Sequence, residues 1–242
     1  MSALSRLAAP ATFYPLAGRL VPWFAAVALV SGLAGLVAAY GVAPADAQQG
    51  EGYRILYVHV PASWLSMLLY CAMAGWSALG LALNTRLSHM MARAVAPTGA
   101  MFAGLSLVTG SLWGRPMWGT WWVWDARLTS ELLLLLLYAG VIALQSAAED
   151  PRRGDRAGAL LALVGVVNVP VIYFSVAWWN TLHQGASITA SRPPSMAAPM
   201  LAALGLMTLA FWAYAAAVVL ARARVIVLER ERDAAWIRHA LA

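Results

Sequence analysis

Six apolar stretches divide this chain, running approximately Leu20–Tyr40, Pro61–Leu83, Val95–Trp113, Ser130–Ala147, Ala157–Ala177 and Ala197–Leu220. Each holds about 18 to 24 residues, enough for a helix to cross the roughly 30 Å hydrocarbon core of a bilayer. In lipid every backbone N–H and C=O must find a partner inside the segment, which leaves the α-helix as the structure for isolated apolar runs of this length. The expected fold is therefore an all-α integral membrane protein with six transmembrane helices. Composition agrees, with 62% hydrophobic and 11% charged residues. No repeat, low-complexity linker or soluble domain interrupts the pattern, so residues 1–242 read as one polytopic membrane domain.

The segments between the runs alternate in arginine content. Arg6 and Arg19, then Arg86 and Arg93, then Arg152, Arg153 and Arg156, then Arg222, Arg224, Arg230, Arg232 and Arg238 fall on one side. Arg54, Arg115, Arg127 and Arg192 fall on the other. The positive-inside rule puts both termini in the cytoplasm and brings segments Gly41–Val60, Trp113–Thr129 and Trp178–Met196 out on the opposite face, where they can meet. A net charge of +6, carried by arginine with no lysine, suits lipid headgroups and membrane orientation rather than nucleic acid. The first apolar run ends in the small-residue sequence Gly41–Ala47, like a signal-peptide cleavage site, but it is longer than a signal core and reads as a retained span. The tail Glu229–Ala242 is expected to form a short helix at the cytoplasmic surface.

Five of the twelve tryptophans fall between Trp113 and Trp124, in the run WGRPMWGTWWVWDARLTSE from Trp113 to Glu131. Gly114, Pro116 and Gly119 break regular structure, and Arg115, Asp125 and Arg127 are costly in hydrocarbon, so this segment reads as an extracytoplasmic aromatic shelf. An interfacial belt of one or two rings per helix end accounts for Trp23, Trp64 and Trp212 but not for Trp113, Trp118, Trp121, Trp122 and Trp124 together. A flat aromatic surface suits a flat amphiphilic ligand, because stacked rings bury area at small entropic cost.

Of four histidines, His59 and His183 fall in the outer segments, while His89 and His239 lie on the arginine-rich side. His59 precedes Pro61, which suits the first turn of a helix, and His183 follows the fifth span beside Trp178 and Trp179. Two imidazoles at one depth, flanking an aromatic shelf, form a candidate axial pair for a haem iron. Arg115 and Arg127 are candidate partners for porphyrin propionates, or else structural partners of Asp125 and Glu131. Asp125 is expected to fix the loop through Arg127 or a backbone cap. No GxxxxGK[ST], GxSxG, HExxH or CxxC motif occurs, and Cys71 is the single cysteine, so nucleotide, hydrolytic and thiol chemistry have no support. The expected activity is binding and handing over a ligand, not catalysis.

The run WGRPMWGTWWVWDARLTSELLLLLLYAG closely resembles the tryptophan-rich "WWD" signature of the haem-handling family of cytochrome c biogenesis. The flanking sequences HVPASW and WWNTLHQGAS, the chain length and the six spans resemble its CcmC-like group across nearly the whole chain. The resemblance implies a bacterial inner-membrane protein that carries haem b as cargo between two axial histidines matching His59 and His183. It also implies delivery of that haem to the periplasmic haem chaperone CcmE, with the small membrane protein CcmD and the CcmA/CcmB ABC transporter as partners. A rival reading is a transmembrane haem exporter, for which charged or broken helices at mid-membrane are expected. The spans offer few: Asn168 and Pro170 in the fifth and Cys71 in the second, with Asn168 better read as an interhelical hydrogen-bonding residue.

Overall fold

The computed structural model describes residues 9–183, 185, 187–188 and 193–237. Helix α1 spans Pro10–Val37 and continues through one wide turn, Ala38–Val42. A short tight turn, Glu51–Ile55, leads into α2, Leu56–Leu83. Then follow α3 (Arg86–Trp118), α4 (Ala126–Ala147), α5 (Pro151–Gly165), α6 (Asn168–Trp178) and α7 (Ala198–Arg230). Among the described residues, six stretches are long and apolar enough to cross a membrane: Pro10–Val42, Glu51–Leu83, Arg86–Trp118, Ala126–Ala147, Pro151–Trp178 and Ala198–Arg230. Each corresponds to one run expected from the sequence, and the protein is a multi-pass helical membrane protein.

The helices outrun the apolar windows because backbone pairing continues for a turn or more into polar flanks. Local chemistry then stops them. Asn84 takes the left-handed conformation (φ 50°) to end α2, and Gly119 does the same (φ 74°) for α3. Asp125 caps α4 by accepting from Leu128 N–H at 2.8 Å, and Asp150 caps α5 by accepting from Arg152 N–H at 2.9 Å. The fifth span breaks at Val166–Val167, four residues before Pro170, whose missing N–H cannot pair with that turn. Asn168 Nδ2 donates to the Ser130 carbonyl at 2.8 Å, tying the break to α4 and acting as the interhelical bond its position suggested.

Antiparallel neighbours α2, α3, α4 and α5 form the centre, α6 lies against α4, and α7 packs on α2 and α3 with α1 along its other side. The core is filled by Tyr70, Met73, Phe102, Leu134, Tyr138, Val141 and Ile172. Close approach depends on missing side chains: a Cβ at Gly99 would fall on the Tyr138 ring and one at Gly165 on the Tyr70 hydroxyl. Trp23, Leu29, Val30, Leu33 and Val37 of α1 are exposed, as a lipid-facing helix requires. Of the expected tail helix, α7 runs to Arg230, the chain turns, and Trp236 meets Tyr14 at 6.0 Å between ring centres; residues 238–242, His239 among them, lie outside the described residues, as do Arg6 and Arg192.

Candidate functional site

A cavity of about 710 Å³, counting its open mouth, lies where α2, α3 and α4 meet the two segments that follow α3 and α6. The chain organises this end of the bundle with backbone contacts. Arg54 donates to the carbonyls of Ala39 and of Ala43, the latter at 3.1 Å, so it satisfies the open end of α1, and it pairs with Glu51. Asp46 accepts from Gln48 and Gln49 N–H at 2.9 and 2.8 Å, folding the first connection back on itself. Trp113 Nε1 then donates to Gln49 Oε1 at 2.8 Å, fastening that connection to α3.

His59 is buried on the first turns of α2. Its Nδ1 lies 3.0 Å from Thr109 Oγ1 on α3, and the Trp113 ring meets it edge-on at 5.7 Å. His183, half-buried, stands five residues beyond the end of α6, its ring centre 6.2 Å from that of His59 and its plane tilted by 36°. Trp118, Trp121, Trp122, Arg127, Leu128 and Glu131 complete much of the wall. Below them the floor is polar: Ser63 and Ser106 hydrogen-bond across α2 and α3, and Ser66 Oγ donates to Glu131 Oε1 at 2.8 Å.

The expected site residues thus divide into two groups. His59, His183, Trp113, Trp118, Trp121, Trp122 and Arg127 line the one cavity. Arg115, Trp124 and Asp125 stand outside its lining. Arg115 donates to the Gly119 carbonyl and lies 5.9 Å over the Trp121 ring, so it braces the end of α3. Trp124 is 76% exposed, edge-on to Trp122. Asp125 holds two segments at once, capping α4 with Oδ1 and accepting from Leu182 N–H with Oδ2 at 3.2 Å. Arg127 donates to the Ile172 carbonyl at 2.7 Å, linking α4 to α6.

The Trp113–Glu131 run is not a single loop. Trp113 to Trp118 finish α3, residues 119–125 connect, and Ala126 onward is α4. Pro116 is accommodated in the last turn of α3, where the helix is about to end at Gly119. Ser63, Ser106 and Thr109 are isolated hydroxyls in apolar spans, and no motif in the sequence marks them. A second cavity, of about 1170 Å³, opens at the other end of the bundle among Arg86, His89, Arg152, Asp155, Arg156 and Arg230. Its Arg230–Asp155 and Arg86–Glu231 pairs mark it as a charged surface quite unlike the first.

Residues 3–238 match the family model described as CcmC, heme exporter protein C. The chain belongs to this family. It is 46% identical over 235 residues to heme exporter protein C of Escherichia coli strain K12, covering 97% of this chain and 94% of that one. It is 47% identical over 236 residues to heme exporter protein C of Haemophilus influenzae, covering 96% and 94%. A mitochondrial protein of Marchantia polymorpha described as cytochrome c biosynthesis ccmC-like is 50% identical over 148 residues, covering 61% and 62%. Family membership therefore extends across the whole six-span architecture and is not confined to the tryptophan-rich motif.

Proposed function

We propose that the protein binds haem b at the outer face of the bacterial inner membrane and delivers it to the periplasmic chaperone CcmE during cytochrome c maturation. The observation that carries this reading is the 6.2 Å separation of the His59 and His183 rings at an aromatic cavity. An iron held by two imidazoles, with metal–nitrogen bonds of about 2 Å on each side and about 1 Å more to each ring centre, requires roughly 6 Å between centres. Trp118, Trp121 and Trp122 supply apolar faces for the porphyrin, and Arg127 is the cation nearest to hand for a propionate. An open mouth suits transfer, because an exposed edge of the ring can reach an acceptor while the iron stays ligated. CcmD and the CcmA/CcmB transporter are the further partners on this reading.

The alternative of a haem exporter gains the break it calls for, at Val166–Val167 in the fifth span, but apolar packing lies between the two ends of the bundle. Along α2, buried Tyr70 and Met73 separate the polar floor of the first cavity from the charged second one, and Tyr138 closes the same level from α4. Haem reconstituted vesicles containing this protein alone should show no transmembrane haem movement.

The test of the site is the visible spectrum of purified protein. Wild type should show low-spin bis-histidine haem, and His59→Ala or His183→Ala should shift the spectrum and weaken binding, with partial restoration by added imidazole. A low-spin bis-histidine spectrum in the double variant would remove the assignment. Orientation is tested separately in a Cys71→Ser background: impermeant thiol reagent added outside should label probes at Gln48 and Ser195 and miss those at Arg153 and Arg232. The reverse pattern would place the cavity in the cytoplasm.

A further inference from the structure

His59 has two ring nitrogens, and Nδ1 is the one that meets a side chain of α3. Thr109 Oγ1 lies 3.0 Å from Nδ1. The same hydroxyl donates back along its own helix, to the Leu105 carbonyl at 2.7 Å and the Ser106 carbonyl at 3.2 Å. Such back-bonding to the i−4 carbonyl is a common state for a threonine inside an apolar helix. A hydroxyl has one proton, and two carbonyls, which can only accept, already share it. With the proton on those carbonyls the oxygen offers His59 a lone pair, an arrangement that selects the tautomer with hydrogen on Nδ1.

Two neighbours on that face of α3 hold the ring where this bond forms. Gly110 leaves the space: a Cβ there would stand 3.0 Å from His59 Cε1. Trp113, one turn above Thr109, walls the ring edge-on. Resting on the haem-binding reading above, we propose that Thr109 is a positioning residue that locks His59 in its Nδ1–H tautomer, so that Nε2 presents its lone pair to the iron. In the opposite tautomer Nε2 would carry hydrogen and could not ligate, and the hydroxyl would have to abandon Leu105 to donate to Nδ1. The lock exists before cargo arrives, so loading needs no tautomer exchange in a buried ring. Partners of this type on a ligating histidine govern ring orientation and ligand basicity.

Thr109→Val keeps the shape of the side chain and removes the acceptor. Titrated with hemin in detergent, the folded variant should bind about tenfold or more weakly than wild type, in line with the 10- to 100-fold cost of losing such a partner, whereas Thr109→Ser should bind as wild type does. Wild-type affinity and spectrum in a folded Thr109→Val protein would overturn the proposal. A second arm does not depend on that comparison. In His59→Ala, added imidazole can fill the vacated place and donate to Thr109, whereas 1-methylimidazole can ligate iron but has no N–H to give. Imidazole should restore the low-spin spectrum at about one tenth the concentration of 1-methylimidazole, and the gap should close in His59→Ala/Thr109→Val. Equal potency in the first background, or a gap that persists in the second, would overturn it. Failure of the haem-binding reading looks different: neither His59→Ala nor added imidazole would then change the spectrum at all.

Discussion

The two imidazoles that meet at the cavity stand on different kinds of backbone. His59 belongs to a 28-residue helix and is fixed through its own ring, by Thr109 and Trp113 of the neighbouring helix. His183 belongs to an irregular segment, and the chain beside it is fixed through the Leu182 backbone, by Asp125 from the connection after α3. One half of the site is a product of helix packing inside the bundle. The other half is an assembly of two connecting segments, so it answers to perturbations that leave the bundle intact.

The largest expected effect removes what both halves share. Replacing Trp118, Trp121 and Trp122 together with alanine should abolish haem recovery, since each ring contributes roughly 1 to 3 kcal/mol of stacking and apolar burial. Single replacements should each be partial, and full haem content in the triple variant would reduce these tryptophans to a membrane belt.

Next, Asp125→Ala should separate the halves. It removes a helix cap worth about 1 kcal/mol and frees the Leu182 amide, so melting temperature and folded yield should fall. Its effect on haem affinity should not add to that of His183→Ala, because both act on one ligand, but should add to that of His59→Ala. Additivity with both would mean that Asp125 does not position His183. The smallest effect is expected at the far end of the molecule. His89→Ala alters the charged second cavity and should leave the haem spectrum unchanged.

How far the sequence discloses each half follows from the same difference. Six spans are legible because apolar runs of membrane length have one structural solution, whereas the break in the fifth is not, because Ala157–Ala177 reads as one continuous run in which Asn168 is an interhelical hydrogen-bonding residue. Helix ends are less so: Trp113 to Trp118 look like loop residues beside Gly114 and Pro116, yet the helix carries Pro116 at the cost of one backbone hydrogen bond and ends only where Gly119 turns left-handed. His59 and His183 are legible as a pair by their shared side. What holds them is not, because Thr109 is one hydroxyl among apolar neighbours, and Asp125 reaches a backbone amide 57 residues away that no motif encodes.

The bond between Asp125 and Leu182 also has a consequence in time. Ribosomes make about 5 to 20 residues per second, so residue 183 emerges roughly 6 to 25 s after residue 59. During that interval a nascent chain can pair α2 with α3 and complete the His59 niche, while the opposite wall has not been synthesised. The cavity closes only when the fifth span is in the membrane. On the proposed haem-binding reading, a half-made chain offers a single imidazole, and a clamp from both faces waits until the chain has grown past residue 183.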